Sequence, residues 1–232
     1  TTSGGSSNSS SATSPRGCGR SSPMRDAAKA TARQRRVWDR AAPDYDRAMA
    51  RFERGILVGG REWVGARATG RTLEVAVGTG RSLEFYGADV ALTGVDLSPA
   101  MLDLARTRAA SLGLAVDLVE GDAERLPFGD ATFDTAVCAL GLCSIPRPDR
   151  AVAELARVLR PGGTLLLLDH VGSMWPPVWA LQWLLERVTI ATAGEHFTRR
   201  QVAHVRAAGL DIVEDERRKL GIVERVRAIK PA

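Results

Sequence analysis

Leu73-Glu74-Val75-Ala76-Val77-Gly78-Thr79-Gly80 is the stretch on which the reading of this chain turns. Leu73 to Val77 is a short run of apolar residues interrupted only by Glu74, and glycines at i and i+2 close it. Such a run reads as a buried strand, and the two glycines allow a tight turn that a ligand can approach closely. Outward from it, apolar runs alternate with helical patterns. Leu92 to Val95, Leu114 to Val119, Phe133 to Ala139 and Thr164 to Leu168 read as further strands. Pro99 to Leu112 reads as a helix with Ser98 as its cap and Pro99 in its first turn. Asp149 to Leu159 reads as a helix ended by Pro161-Gly162-Gly163. Two more strands, Leu210 to Val213 and Ile222 to Ala228, flank the charged run Glu214 to Lys219, which reads as a solvated hairpin. Continuous apolar strands alternating with helices predict an α/β fold, a doubly wound, mostly parallel seven-stranded sheet.

The flanks set the domain organisation. The chain has 232 residues, long enough for one full hydrophobic core. No apolar run reaches the ~18–20 residues of a membrane span. Residues 1–25 are dominated by Ser, Gly and Thr and are expected to be a disordered tail, with Met24 read as a natural start. Residues 26–232 are expected to form one domain: a helical cap over 26–70, a ligand-binding core over 71–170, an insertion over 171–200, and a C-terminal helix and strands over 201–232. In the cap, Asp26 to Arg40 reads as one helix and Asp44 to Arg67 as a second, interrupted at Pro43.

Charge narrows the partners. The net charge is +5 and the pI about 9.6, which invites a nucleic-acid reading. Residues 1–36, however, carry seven of the 32 basic and one of the 27 acidic residues, leaving 25 against 26 for the remainder. A nearly neutral body speaks against a nucleic-acid binder. The three cysteines, Cys18, Cys138 and Cys143, make neither a disulfide framework nor a metal-ligand spacing. No metal is expected, and the location expected is cytoplasmic.

In open α/β sheets the ligand sits beyond the carboxyl ends of the strands. A dinucleotide fingerprint wants a third glycine where this chain has Leu83, and Glu74 would repel a diphosphate. Both argue against a nicotinamide-dependent oxidoreductase, which is the rival enzyme class. Asp96 ends the second strand and is placed to accept bonds from a ribose diol. After the third strand, Asp122 suits an exocyclic amine and the Ala123 amide a ring nitrogen.

These stretches resemble the class I S-adenosylmethionine-dependent methyltransferases, and within them the ubiquinone/menaquinone and phospholipid N-methyltransferase branch. The resemblance runs from about Val37 to Arg160. It rests on Val37-Trp38-Asp39-Arg40-Ala41-Ala42-Pro43-Asp44-Tyr45-Asp46, the Leu73–Gly80 stretch, Gly94-Val95-Asp96-Leu97-Ser98-Pro99-Ala100-Met101-Leu102, Glu120-Gly121-Asp122-Ala123-Glu124-Arg125-Leu126-Pro127-Phe128, and Arg157-Val158-Leu159-Arg160-Pro161-Gly162-Gly163. It implies a Rossmann-like methyltransferase fold and S-adenosyl-L-methionine as cofactor. It implies that Glu74 holds the methionine ammonium and that Ala76, Gly78 and Gly80 shape the turn. Asp96 and Leu97 would meet the ribose, Asp122 and Ala123 the adenine, and Tyr45 would close over the methionine end. The family usually has glycine where this chain has Ala76. A cofactor-binding module without catalysis is therefore a second alternative.

Methyl transfer from a sulfonium is an in-line displacement on an activated carbon, and a base is needed only if the acceptor must lose a proton. His170, at the end of the fifth strand, is one candidate, against the plainer reading of a rim histidine. His196, next to Glu195, is the other, against a helix cap at Thr198 among surface charges. His204 reads as structural. Trp175, Trp179 and Trp183 are spaced four apart and form one stripe on a helix. That stripe reads first as a helix packed on the body, and alternatively as a lid over a lipophilic acceptor or a transient contact with a membrane surface. Leu142, Trp175 and Trp179 are expected in the acceptor pocket. A small apolar or amphipathic acceptor follows. A phospholipid amine, a quinone-type carbon, a thiol and a natural-product hydroxyl all fit.

Overall fold

The computed structural model describes residues 1–2, 23–192 and 194–232, the side chains of 23–26 excepted. Most of the expected tail, Cys18 included, lies outside the described residues. Seven strands form one sheet: β1 (Arg71–Val75), β2 (Ala91–Asp96), β3 (Asp117–Glu120), β4 (Phe133–Ala139), β5 (Leu159–His170), β6 (Asp211–Arg218) and β7 (Val223–Ile229). Their order is β3-β2-β1-β4-β5-β7-β6. β1 to β5 are parallel, and β7 runs antiparallel to both β5 and β6. This is the doubly wound, seven-stranded arrangement expected.

Alternation along β5 shows why both faces are covered. Leu165 and Leu167 join one core with Val152 and Leu155, while Leu166 and Leu168 join a second core with Leu57 and Val64. Successive side chains of a strand point to opposite faces. The first core is closed by α4 (Pro148–Val158) and α6 (Val202–Ala207), the second by α2 (Gly60–Gly65) and residues of α1 (Pro23–Gly55). α3 (Pro99–Leu112) starts at Ser98, whose hydroxyl accepts the Met101 amide at 3.2 Å, and ends on Gly113 at φ +68°. Only a 3-10 turn, Leu83–Phe85, stands between β1 and β2. α2 packs there backbone to backbone: a Cβ on Gly65 would lie 2.1 Å from the Phe85 carbonyl oxygen.

Three expectations need correction. The two cap helices are one 33-residue helix through Pro43, followed by the short α2. A proline inside a helix removes one hydrogen bond and crowds the preceding turn, but Pro43 lies on the exposed side, and contacts on both sides of it hold the helix to the sheet. Asp39 Oδ1 accepts the Ser98 hydroxyl at 2.6 Å, and Asp46 Oδ1 accepts the Thr79 hydroxyl at 2.6 Å. Second, Pro161-Gly162-Gly163 sits inside β5 as an irregularity between the Phe133 and Thr135 registers. Third, the charged run Glu214 to Arg218 is strand: Arg217 faces Glu224 and Glu216 faces Arg225 across β6 and β7.

Candidate cofactor and acceptor site

A cleft with about 670 Å³ of empty space opens over the carboxyl ends of β1, β2, β3 and β4. Its floor is Ala76, Gly78, Val95, Asp96, Leu97, Gly121, Asp122 and Ala123. These are the residues expected at the turns after β1, β2 and β3, brought together because parallel strands end on one side.

Asp96 is the best defined of them. One carboxylate oxygen accepts the Gly78 amide at 2.8 Å and the other the Ser98 amide at 2.8 Å. Burial pushes its carboxyl up, against the lowering effect of those amide bonds. Each oxygen keeps a further lone pair for a diol. Asp122 turns one oxygen to the Glu124 amide at 2.9 Å, and the other accepts the Thr31 hydroxyl at 3.3 Å.

α1 supplies the roof. Thr31, Gln34, Trp38 and Tyr45 line the cleft from above. The Tyr45 ring meets Trp38 edge-on, centroids 5.9 Å apart, and burial pushes its phenol up. Polar rungs along α1 tie this roof down: Thr31 to Asp122, Arg35 to Glu120 at 2.8 Å, Asp39 to Ser98, Asp46 to Thr79, and Glu53 to Arg61 at 2.8 Å. Thr31, Gln34, Trp38 and Met101 were missed as lining residues. The spacing of Thr31, Gln34, Trp38, Ala42, Tyr45, Met49 and Phe52 is the helical signal that would have found the α1 face.

Two expected cofactor residues sit elsewhere. Glu74 does not line the cleft. It points to the face covered by α2, where Oε2 accepts the Tyr86 hydroxyl at 3.0 Å and burial pushes its carboxyl up. Gly80 closes the turn as expected, at φ +78° with its amide on the Val77 carbonyl at 3.0 Å, but it does not line the cleft, and a Cβ there would lie 2.7 Å from Leu83 and 3.3 Å from the Ala105 backbone. Ala76 takes φ +53°, and the place its methyl needs is left open by Gly141, whose own Cβ would stand 2.6 Å from it.

The wall beyond β4 is formed by Leu140, Gly141, Ser144, Ile145 and Pro146. Leu142, expected there, is buried in the core among Leu126 and Leu155, because the turn after β4 points it under the sheet end. Trp175 and Trp179 do not line the cleft either. Trp175 precedes α5 (Pro176–Thr192) and Trp179 lies on it; the apolar side of this helix faces outward, so the expectation of a helix packed through its Trp stripe is overturned.

His170 is buried, with its ring against Phe197 at 4.8 Å and Phe52 at 6.4 Å, and its Nδ1 has no hydrogen-bond partner. Asp169 lies beside it. Its oxygens accept the His170 amide at 2.8 Å and the Cys143 amide at 3.0 Å, and burial pushes its carboxyl up. Glu195 is also pushed up by burial, and the His170 charge works against that rise. Ligand atoms of Cys143, Asp169 and His170 lie within 4.8 Å of one another. An ion there would require the thiolate, and burial pushes the Cys143 thiol well up. His196 does not line the cleft, and its Nδ1 stands 3.0 Å from Glu186 Oε1. Thr198 caps no helix but gives its amide, at 3.1 Å, and its hydroxyl, at 2.6 Å, to Glu186.

Residues 73–167 match a methyltransferase domain family. A phosphatidylethanolamine N-methyltransferase of Cereibacter sphaeroides is 43% identical over 120 residues, covering 51% of this chain and 59% of that protein. A demethylmenaquinone methyltransferase of Deinococcus radiodurans is 40% identical over 135 residues, covering 55% of this chain and 56% of that protein. The chain thus spans a little over half the length of these relatives. A solved structure from Thermotoga maritima, described as an S-adenosylmethionine-dependent methyltransferase, covers 84% of this chain and 99% of its own at a TM-score of 0.67 and 23% identity. It shares the fold. The cleft fits S-adenosylmethionine: the Asp96 and Asp122 carboxylates suit a diol and an amine, and glycine-lined turns leave the floor open.

Proposed function

We propose that the chain is a cytoplasmic methyltransferase that passes the methyl group of S-adenosylmethionine to a small, amphipathic or apolar acceptor, met by transient contact with a membrane surface. The observation that carries this reading is Asp96, held in the cleft floor by the Gly78 and Ser98 amides. When bound, S-adenosylmethionine supplies a sulfonium-bound methyl that needs no further activation. The chain's residues then bind, orient and exclude water. Asp96 and Leu97 hold the ribose, Asp122 and Ala123 the adenine edge. Tyr45 and Trp38 close the roof, and the high proton affinity of the Tyr45 phenol keeps it neutral beside a cation. Leu140, Ile145 and Pro146 give the acceptor an apolar wall.

His170 is the proposed base for an acceptor that must lose a proton. Its unpartnered Nδ1 can hold one, and Asp169 and Glu195 lie in electrostatic range to stabilise the imidazolium. The names of the relatives, one acting on a phospholipid and one on a quinone precursor, support a small-molecule acceptor.

Calorimetric titration with S-adenosylmethionine, S-adenosylhomocysteine and NADH tests the cofactor. Both sulfur ligands should bind, and Asp96→Ala should weaken them by roughly 1–3 kcal/mol, the loss expected for a buried charged acceptor. Binding of NADH alone ends this reading. A screen of labelled methyl transfer into lipid and aqueous extracts tests the acceptor. Label in the lipid fraction is expected, and cofactor binding without any transfer would favour a catalytically inactive module.

A further inference from the structure

α5 is built inside out. Its inward positions are Val178, Gln182, Glu186 and Thr189, three of them polar. Gln182 Oε1 accepts the Ser173 amide at 2.7 Å and its Nε2 donates to the Val171 carbonyl at 3.0 Å. Glu186, only 7% exposed, takes His196 and Thr198, and the Thr189 hydroxyl donates to the Glu195 carbonyl at 3.0 Å. The opposite side carries Leu181, Leu184, Leu185 and Val188, exposed by 57%, 57%, 49% and 62%, with Trp179 and Trp183 beside them. An ordinary surface helix turns its apolar stripe to the core. This one spends its polar side chains on anchoring and leaves a contiguous apolar face outside, the mark of an interaction surface.

What flanks that face decides the partner. At the carboxyl end of α5, Arg33 of α1 donates to the carbonyls of Ile190 at 3.3 Å and Ala191 at 2.6 Å. Arg33 belongs to an exposed stripe, Lys29, Arg33, Arg36 and Arg40, whose 4-3-4 spacing holds it within about 60° of the helix circumference. This stripe draws on the basic residues that set the N-terminal region apart from the neutral body. At the other end, the β6–β7 turn abuts the start of α5. The Leu220 carbonyl accepts the Ser173 hydroxyl at 2.7 Å, next to exposed Arg218 and Lys219. Arg187 stacks on Trp183 at 3.8 Å. Aromatic residues amid cations beside a broad aliphatic face suit the headgroup region of a bilayer.

We infer that the outer face of α5, with the basic stripe of α1 and the β6–β7 turn at its ends, docks on an anionic phospholipid bilayer. The apolar face enters the acyl boundary while the cations meet lipid phosphates. α5 follows β5 at the sheet end that carries the cleft, so docking brings the acceptor side toward the lipid. The inference deepens the amphipathic-acceptor reading, and its test requires no turnover.

The test is flotation of the full chain with vesicles of phosphatidylcholine, with and without phosphatidylglycerol, at low and high salt. Binding to the phosphatidylglycerol vesicles, at least tenfold tighter than to phosphatidylcholine alone and weaker at high salt, is expected. Leu184→Glu with Val188→Glu should abolish it. Lys29→Gln, Arg36→Gln and Arg40→Gln together should weaken it by roughly fivefold per charge. S-adenosylhomocysteine affinity, measured on the same variants, should stay unchanged, which excludes misfolding. Equal binding to both vesicles, or none, overturns the inference. So does a concentration-dependent dimer that the Leu184/Val188 variant dissolves, because the face would then belong to a second copy. Vesicle binding by a chain that takes no S-adenosylhomocysteine would sink the proposed function and leave this inference standing.

Discussion

Ala76 shows how one residue links sequence, backbone and site. It holds φ +53° in the cleft floor, a conformation that costs an L side chain roughly 1–2 kcal/mol. Leu140, at the end of β4, is in the same region at φ +61°. The departure from glycine at Ala76 was visible in the sequence. Its accommodation was not, because Gly141 lies 65 residues away along the chain. Ala76→Gly should relieve the strain and, after the added chain entropy of glycine, stabilise the fold by about 0.5–1 kcal/mol. Thermal unfolding without ligand measures this, and a lower Tm would show that the Ala76 methyl contributes packing that outweighs its strain. Asp96 lay at the other extreme: strand end, turn and carboxylate could all be read from a dozen residues.

The elements differ in how much of them was legible. α3 and β4 were expected with their observed ends, Pro99–Leu112 and Phe133–Ala139, because a cap, a terminal glycine or an unbroken apolar run marks each boundary. α1 was split at Pro43 because local propensity sees the missing hydrogen bond and not the anchors to Ser98 and Thr79 on either side. For α5 the composition was read correctly and the facing was not. An apolar stripe is assigned to the core by default, and only the partners of Glu186 reveal that the polar side is inward. Glu186→Ala should therefore be more damaging than most helix-surface changes. It strips acceptors from the Thr198 amide and hydroxyl and from His196, a loss of about 2–3 kcal/mol. Hydrogen exchange should show α5 and residues 194–198 opening while α3 and α4 stay protected. Uniform protection across the variant would mean that α5 is held by its apolar contacts instead.

At the scale of the whole molecule, burial governs the response to pH. Glu74, Asp96, Asp169, Glu195 and Glu224 are all pushed above the ordinary carboxylate range, with burial as the main cause of each shift. Such a group binds its proton more readily in the folded than in the unfolded chain. Stability then falls as the pH rises through the raised values. Glu154 is held below its usual value by Arg157, and Glu53, despite its burial, by Arg81 and Arg61. Their contribution is present above the unfolded pKa and is lost as the pH falls through the lowered values. Five raised groups against two lowered ones predict a ligand-free Tm that rises as the pH falls through the raised carboxyl values and drops again as it falls through the lowered ones. Calorimetry across that range checks it, and a Tm that falls steadily as the pH falls through the raised values would contradict it.

The sheet, its parallel character, the turns that floor the cleft and the neutral body were all contained in the order of residues, because each depends on neighbours within a few positions. Apolar alternation, caps and glycines act locally, and the strand ends they define must converge once the strands are parallel. Which way α5 faces, what roofs the cleft, where Glu74 and Leu142 point, and how α1 survives Pro43 depend on partners 10 to 157 residues away. Those were decided only by the packed structure, where the polar partners of Gln182, Glu186 and Thr189 hold that side of α5 inward.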